Sequence, residues 1–323
     1  MIRGFERLLF LVYIRAVIDM NHQKHYGAAV LAFVMWGFFS IPLRALQAYS
    51  AGEILYFRIL ISALVLIAVV AAFKRNDLKK DLETLHALSR PERNKMVLLT
   101  LAGGALLTVN WLTFIYIVNH INIKTASFSY LICPVITAVL GYVLIRERMT
   151  PLQWIAVGMC AISCVVMGMH SVMELGYSFL TAFTYALYLI SQRRNQGFDR
   201  IIILSVQVIF SFLLMNMFYS SLVHTIPVAA RFYWIALMIA VLFTVIPLFL
   251  NLFALNKINS ATIGILMYVN PLINFSVAFI IFDEDVNLTQ IVGYGIIVVA
   301  LVMFNYDNFR KLQTAVGAQR NAT

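Results

Sequence analysis

The sequence predicts an all-α membrane protein with ten transmembrane helices, arranged as two inverted five-helix repeats. Three observations support this prediction: an apolar composition, ten apolar runs of spanning length, and a duplication that relates the two halves. Of the 323 residues, 62% are hydrophobic and 12% are charged, whereas soluble domains have about 45–50% apolar and about 25% charged residues. One water-soluble core of this size cannot bury so much apolar surface, so we expect lipid to solvate the excess.

Ten runs are apolar enough to cross a membrane, which takes about 20 residues in a helix. Helices are expected because backbone polar groups find no water to bond within lipid. The runs are 27–46, 51–73, 96–118, 123–145, 152–169, 173–191, 200–221, 231–255, 259–282 and 288–306. Around them we expect a cytoplasmic N-terminal segment, 1–26, and a cytoplasmic tail, 307–323. We expect translation to start at Met20; the alternative is that the short apolar run of residues 1–19 forms an interfacial helix. The longest connector, Lys74 to Lys95, is rich in charge.

The distribution of Lys and Arg predicts the orientation of the chain. If the N-terminus is cytoplasmic, twenty of these residues fall on the cytoplasmic side, and only Lys124 and Arg231 fall on the other. This follows the positive-inside rule, so we expect both termini in the cytoplasm and a location in a plasma membrane, as in a bacterial inner membrane. The net charge of +10 does not indicate nucleic-acid binding, because the basic residues lie in separate connectors and form no single patch.

A duplication divides the chain into a first repeat, 27–169, and a second repeat, 170–306. A shift of 137 residues aligns the third to fifth runs with the eighth to tenth without a gap, and a shift of 149 aligns the first with the sixth. The identical pairs include Pro134 with Pro271, Glu147 with Glu284, Gln153 with Gln290 and Gly158 with Gly295. Because five spans are an odd number, we expect the second repeat to be inverted, with Glu147 and Glu284 at opposite surfaces. Inverted repeats are typical of transporters that work by alternating access.

Several motifs of the first half add a resemblance to a known family. They are Trp36-Gly37 with Pro42, Glu53-Ile54-Leu55 with Arg58, Asn110-Trp111, Ala126-Ser127 with Tyr130 and Pro134, and Gly141 through Glu147-Arg148. Together they resemble the RarD-type permeases of the EamA branch of the drug/metabolite transporter superfamily, over about residues 26–306. The resemblance implies a ten-helix fold with a central cavity between the halves, and transport of amino acids, drugs or other metabolites. Cys133 precedes Pro134 where the family more often has Asn, whereas Asn270 precedes Pro271.

Arg58 is the clearest candidate for solute binding, because a charge inside a membrane span is costly and usually functional. Its guanidinium could bind a carboxylate or a phosphate through two hydrogen bonds. The structural alternative is that Arg58 pairs with Glu53 or caps backbone carbonyls near the outer surface. The sequence does not decide between these interpretations.

Other polar and aromatic residues inside the spans are candidates for lining the cavity. They are Asn110, Trp111, Tyr130, Asn251, Tyr268 and Asn270. Amides and phenols there could bind a polar solute, and aromatic faces could hold an organic cation. The alternative for each is a hydrogen bond between helices, which membrane bundles use routinely.

Four further residues are candidates for moving parts. Pro134 and Pro271 each remove a backbone donor, and because both repeats keep the proline we predict a hinge at each. Trp36 and Tyr185 match across the 149-residue shift and are candidate gates, with simple aromatic packing as the alternative. Glu147 and Glu284 lie near the span ends, at opposite surfaces, where capping of a helix or an ion pair in a loop is the ordinary interpretation.

These observations predict a secondary transporter that moves small organic solutes by alternating access between inverted repeats. The alternative is a non-transporting receptor or assembly subunit with the same fold. We expect no enzyme activity, no cofactor and no metal, because the sequence contains no nucleophile motif, phosphate loop or metal-ligand cluster. The expected partners are a small-molecule solute and the lipid bilayer. The sequence leaves open whether the protein is a monomer or a homodimer.

Overall fold

The computed structural model describes residues 23–121, 123–167, 172–281 and 288–320, which form helices joined by short turns. The helices of the first half are α1 Gln23–Gly37, α2 Ser40–Arg44, α3 Ala51–Phe73, α4 Arg75–Ala87, α5 Arg90–His120, α6 Ile123–Ile145 and α7 Pro151–Met167. Those of the second half are α8 Val172–Arg194, α9 Arg200–Asn216, α10 Tyr219–Leu222, α11 Ala230–Ala240, α12 Ile246–Ala254, α13 Ser260–Leu266, α14 Val269–Ile281 and α15 Leu288–Arg320. A π-helical turn, Val241–Val245, joins α11 to α12. The predicted start at Met20 and the predicted external Glu284 lie outside the described residues.

The prediction of an all-helical membrane protein is confirmed. Among the described residues, seven segments are long and apolar enough to cross a membrane: Lys24–Arg44, Ala51–Phe73, Arg90–Ile117, Phe128–Ile145, Ala230–Ala254, Ser260–Ile281 and Leu288–Tyr306. Two shorter apolar helices, α7 and α9, have 17 residues each. The remaining predicted span corresponds to α8, which is 23 residues long but more polar, with Glu174 in its first turn and Arg193 and Arg194 in its last.

The connector between the second and third predicted spans contains a helix that the sequence analysis missed. Helix α4 places Leu78, Leu82 and Leu85 along one side, where they border an apolar groove of about 160 Å³ against α5 and α9. Lys74, just before α4, forms an ion pair of 2.7 Å with Asp199 in the turn between α8 and α9. The three leucines are four and three residues apart, which is a helical spacing, but the many charged residues between them made this pattern hard to recognise in the sequence.

Helix packing follows the division into halves. Helices α5 and α6 of the first half pack on α8 of the second, and the corresponding α12 and α14 of the second half pack on α1 of the first. Three further contacts join each helix to its own counterpart: α3 to α9, α6 to α13, and α7 to α15. When the two halves are exchanged, the contacts of α5 and α6 with α8 become those of α12 and α14 with α1. Each of the three further contacts becomes itself.

One pair of hydrogen bonds repeats this relation at the level of side chains. Ser211 in α9 donates to the Gly104 carbonyl in α5 at 2.9 Å. Ser62 in α3 lies 3.4 Å from the Ala240 carbonyl in α11, in donor geometry, while also donating to the carbonyl of Arg58. The serines are related by the 149-residue shift, and Gly104 and Ala240 by the 137-residue shift to within one residue.

Candidate functional site

Arg58 lies two helical turns inside α3, about 10 Å from the first residue of that helix at 1.5 Å per residue. Its guanidinium carbon is 5.7 Å from the centre of the Phe39 ring and 5.6 Å from the centre of the Trp111 ring. The side chain is partly accessible, but its Nε atom is buried and has no hydrogen-bond partner among the described residues. Arg58 is therefore a positive charge held by aromatic rings rather than by a carboxylate.

Glu53, the alternative partner of Arg58, has other bonds. Its carboxylate accepts hydrogen bonds from the Thr225 backbone N–H at 3.0 Å and the Thr225 hydroxyl at 2.9 Å. It also accepts one from the Ser50 N–H at 3.1 Å, which completes a capping box at the start of α3. None of the ion pairs between described residues joins Glu53 to Arg58, so the pairing alternative does not account for Arg58.

Trp111, one of the residues predicted to line the cavity, lies beside Arg58. Tyr130 of α6 lies near Trp111, because its ring packs on Phe114 of α5, one helical turn from Trp111, with the ring centres 5.5 Å apart. Phe39 lies in the break between α1 and α2 and contacts Phe243 of the π-helical turn at 5.6 Å. The aromatic surroundings of Arg58 thus reach from the first half to the second.

The two gate candidates, Trp36 of α1 and Tyr185 of α8, contact each other. The rings of Trp36 and Tyr185 meet edge to face at 6.4 Å, and the Trp36 indole N–H donates to the Phe243 carbonyl at 2.9 Å. The Asn251 side-chain amide donates to the Tyr185 hydroxyl at 2.9 Å. The other amide atom, Asn251 Oδ1, is buried and has no hydrogen-bond partner among the described residues. We call Arg58, Trp111, Tyr130, Trp36, Tyr185 and Asn251, with Phe39 and Phe243, the central cluster.

Asn110 and Tyr268, also predicted to line the cavity, bond to backbone carbonyls instead. Asn110 is 1% exposed and donates to Thr181 of α8 at 2.7 Å. Tyr268 is fully buried in a second apolar cluster and donates to Leu131 of α6 at 2.8 Å. Both geometries match the alternative of hydrogen bonding between helices.

The prolines and Asn270 lie where helices of different halves cross. Pro134 is inside the continuous helix α6, and its carbonyl faces Gly264 of α13. Asn270 and Pro271 begin α14, where the Asn270 backbone faces Gly37 of α1. A methyl group at Gly37 would come within 2.6 Å of the Ile273 side chain, so a glycine is needed for this close approach.

Glu147 joins the halves at the end of the bundle that the charge distribution predicts to be cytoplasmic. Its carboxylate accepts hydrogen bonds from the Ser260 N–H at 2.8 Å and the Ala261 N–H at 3.0 Å, at the start of α13. Arg193 of α8 approaches the same carboxylate at 4.0 Å. Capping was the expected role of Glu147, but only the fold shows that the capped helix belongs to the other half.

Sequence reasoning missed Phe39 and Phe243, the two rings that complete the central cluster. Nothing in the local sequence distinguishes them from the other 22 phenylalanines of the chain. The break after Gly37 and the π-helical turn bring them together. A proline follows each irregularity, Pro42 and Pro247, and proline is a usual cause of such helix irregularities.

Comparisons with known proteins agree with the fold and the predicted class. The model of the EamA-like transporter family matches residues 23–169 and 173–306. An uncharacterized transporter of Vibrio cholerae is 29% identical over 90% of this chain and 95% of its own length. The protein RarD of Escherichia coli is 25% identical over 86% of this chain and 93% of its own.

Structural similarity extends over most of the molecule. A solved crystal structure covers 88% of this chain and 96% of its own chain with a TM-score of 0.70. Its sequence identity is 12%, so this similarity concerns the fold alone.

Proposed function

The chain belongs to the EamA-like transporter family, and on that premise we propose that it moves small organic solutes across a bacterial plasma membrane as a secondary transporter. The family is one of transporters and not of enzymes, as the sequence analysis predicted. The relatives are bacterial, and the chain is a multi-pass membrane protein. The class of solute, the alternating-access mechanism and the membrane topology are proposed as well.

The proposed architecture has ten spans in two inverted repeats, 27–169 and 170–306, with both termini in the cytoplasm. Helix α8 is the sixth span in this arrangement, and its polar residues are tolerated because it is enclosed by α5 and α6. The packing pairs that correspond when the halves are exchanged support a duplication. The odd number of spans in each repeat and the positive-inside distribution support the inversion.

The observation that carries the proposal is the central cluster. Both halves contribute to it: the first supplies Trp36, Phe39, Arg58, Trp111 and Tyr130, and the second supplies Tyr185, Phe243 and Asn251. It contains two buried polar atoms with no hydrogen-bond partner among the described residues, Arg58 Nε and Asn251 Oδ1. Unpaired polar groups inside a membrane cost several kcal/mol each, about what a buried unsatisfied amide costs in general, so a solute that bonds to them offsets a cost already present.

In the proposed mechanism the cluster is exposed alternately to the two sides. In this mechanism the hydrogen bonds from the Ser260 and Ala261 N–H groups of α13 to Glu147 hold the predicted cytoplasmic end closed in one of the two states. The Trp36–Tyr185 contact and the irregular backbone near Pro271 are the parts that change as the halves move. Helix breaks near a transporter's central site commonly allow such movement.

Uptake into proteoliposomes tests the proposal. Purified protein is reconstituted and offered radiolabelled amino acids and amphiphilic drugs, with and without a high internal concentration of the same compound. A carrier gives saturable uptake that internal solute stimulates, because exchange does not require an empty site to reorient. Flux no greater than in empty liposomes for every compound of the panel would contradict the proposal.

Two asparagine variants provide a matched comparison in the same assay. Asn251→Ala removes an amide from the central cluster, and we expect at least a tenfold loss of uptake, which is about 1.4 kcal/mol of binding. Asn305→Ala removes an equally buried amide that donates to Leu301 within its own helix α15. We expect uptake by that variant to remain within threefold of the unmodified protein.

A further inference from the structure

We propose that the solute is an organic monoanion whose carboxylate binds Arg58 and whose body is apolar or aromatic. This inference rests on the proposed function and adds the substrate class that the same site recognises. It follows from the charge, the unmet hydrogen bonds and the ring contacts of the central cluster.

The positive charge of Arg58 has no counter-charge among the described residues. Arg58 lies inside a span of predominantly apolar residues, and none of the ion pairs between described residues includes it. The two ring contacts, with Phe39 and Trp111, stabilise a cation by about 0.5–2 kcal/mol each, which is less than the cost of burying a charge. An anion at this position would supply the missing counter-charge.

The Arg58 guanidinium also has an unmet hydrogen bond. The aromatic rings approach the guanidinium, and the N–H groups along its edge remain available for hydrogen bonds. Nε has no partner among the described residues, although it is buried, and part of the side chain stays accessible. A carboxylate can accept two parallel hydrogen bonds from such an edge.

The number of charges favours a carboxylate over a phosphate ester. Arg58 is the only Lys or Arg among the residues of the central cluster, and Asn251, Tyr130 and Tyr185 are uncharged. A dianionic phosphate would keep one unpaired negative charge inside the membrane, which is costly. The body of the solute would contact Phe39, Trp111 and Phe243, whose rings prefer apolar or aromatic groups.

Binding to the purified full-length protein tests this inference without requiring transport. The probes share one body and differ in charge: 3-phenylpropanoate, its neutral isostere 3-phenylpropanamide, 2-phenylethylamine and 2-phenylethyl phosphate. A second pair, 4-methylpentanoate and its amide, replaces the aromatic body by an aliphatic one. The readout is the rise in the thermal unfolding midpoint with probe concentration, since a ligand that binds only the folded state raises stability.

We expect the carboxylates to bind at least tenfold more tightly than their amides, and the amine to give no stabilisation. Arg58→Gln should abolish this preference and Arg58→Lys should restore part of it, because a lysine keeps the charge but not the two parallel bonds. The matched control is Arg231→Gln, which removes an exposed arginine at the start of α11 and should leave the preference unchanged.

Three outcomes would overturn the inference: amides that bind within threefold of the acids, a phosphate ester that binds more tightly than the acid, or no binding of either carboxylate. The comparison of acid with amide uses only the unmodified protein, so it remains decisive if an Arg58 variant fails to fold. Carrier-type uptake of uncharged or cationic compounds together with any of these results would leave the proposed function standing and reject the substrate class. Preferential binding of the carboxylates without uptake of any compound would support the ligand class and reject the proposed transport function.

Discussion

Matching prolines give different helices in the two halves. Helix α6 continues through Pro134, whereas the corresponding segment of the second half is interrupted at Met267 and Tyr268, directly before α14 and Pro271. At the interruption the Tyr268 and Asn270 N–H groups bond three residues back, to Ile265 and Met267. The same proline is therefore accommodated by a continuous helix in one half and by a tighter turn in the other.

The third and eighth predicted spans show the same contrast. Helix α5 is continuous from Arg90 to His120, but its counterpart is divided into α11, the π-helical turn and α12. Irregular backbone within a membrane is tolerated where protein encloses it or where it borders a cavity, and π-helical turns often occur at functional sites. The turn contains Phe243, and the break between α1 and α2 contains Phe39, so both irregularities border the central cluster. We infer that the second half contains more of the deformable backbone.

The largest expected effect concerns the cross-half contact of Glu147. Glu147→Ala would leave the Ser260 and Ala261 N–H groups without their carboxylate, at about 1–3 kcal/mol each. We expect the predicted cytoplasmic end to open, seen as a longer distance between spin labels at residues 148 and 257, which are both exposed. If the second half is an inverted copy of the first, Glu284→Ala should instead favour opening of the predicted external end. An unchanged distance in Glu147→Ala would show that this contact does not hold the end closed.

The prolines give the next largest effect and sharpen the comparison most directly. Pro271→Ala would allow a continuous helix across the interruption, and we expect turnover to fall about tenfold, or about 1.4 kcal/mol in the barrier. Pro134→Ala restores a donor to a helix that is already continuous, so its turnover should stay within threefold. Equal losses in the two variants would mean that the difference in backbone has no functional consequence.

Close packing between the halves predicts an effect of similar size on stability. A methyl group at Gly264 of α13 would lie 2.9 Å from Thr137 Cβ of α6, and such overpacking costs about 1–3 kcal/mol. Gly264→Ala should therefore lower the thermal unfolding midpoint. Gly295→Ala is the control, because no atom lies within 4 Å of the added methyl group, and alanine is favoured over glycine in a helix by about 1 kcal/mol. A lower midpoint for Gly295→Ala than for Gly264→Ala would contradict the packing.

The smallest expected effect concerns the two related serines. Hydrogen bonds between membrane helices contribute about 0.6 kcal/mol on average. Ser211→Ala removes a bond of 2.9 Å to Gly104, and Ser62→Ala removes a contact of 3.4 Å with Ala240. We expect Ser211→Ala to lower the free energy of unfolding more than Ser62→Ala in a denaturation series. A larger decrease in Ser62→Ala would contradict this prediction.

The sequence predicted helices well where the apolar pattern alone determines them. The predicted spans 51–73 and 123–145 agree with α3 and α6. The break at Met267 lies four residues before Pro271, where the sequence predicted a hinge. The apolar pattern did not predict the breaks at Phe38 and Phe39 and at Val241–Val245, although Pro42 and Pro247 follow them and each removes the hydrogen bond to the carbonyl four residues before it. It also missed α4, whose charged residues hide three leucines that face α5 and α9.

The candidate site was predicted in part for a similar reason. Arg58 and Trp111 were both predicted as candidate cavity residues, and the structure brings them together. Asn110 precedes Trp111 in the same helix but points to α8 and bonds to Thr181. Residue type and depth predict that a polar side chain needs a partner, but only the packing of helices decides whether that partner is a backbone carbonyl or a solute.

The sidedness of two equivalent turns tests the central claim, that the second half is an inverted copy of the first. Single cysteines are placed at Arg148 and Leu288, both exposed, after the buried Cys133, Cys160 and Cys164 have been replaced by alanine. A membrane-impermeant maleimide added to intact cells should label residue 288 and should label residue 148 only after the membrane is permeabilised. Labelling of both residues from the same side would contradict the inversion and, with it, alternating access by two exchanged halves.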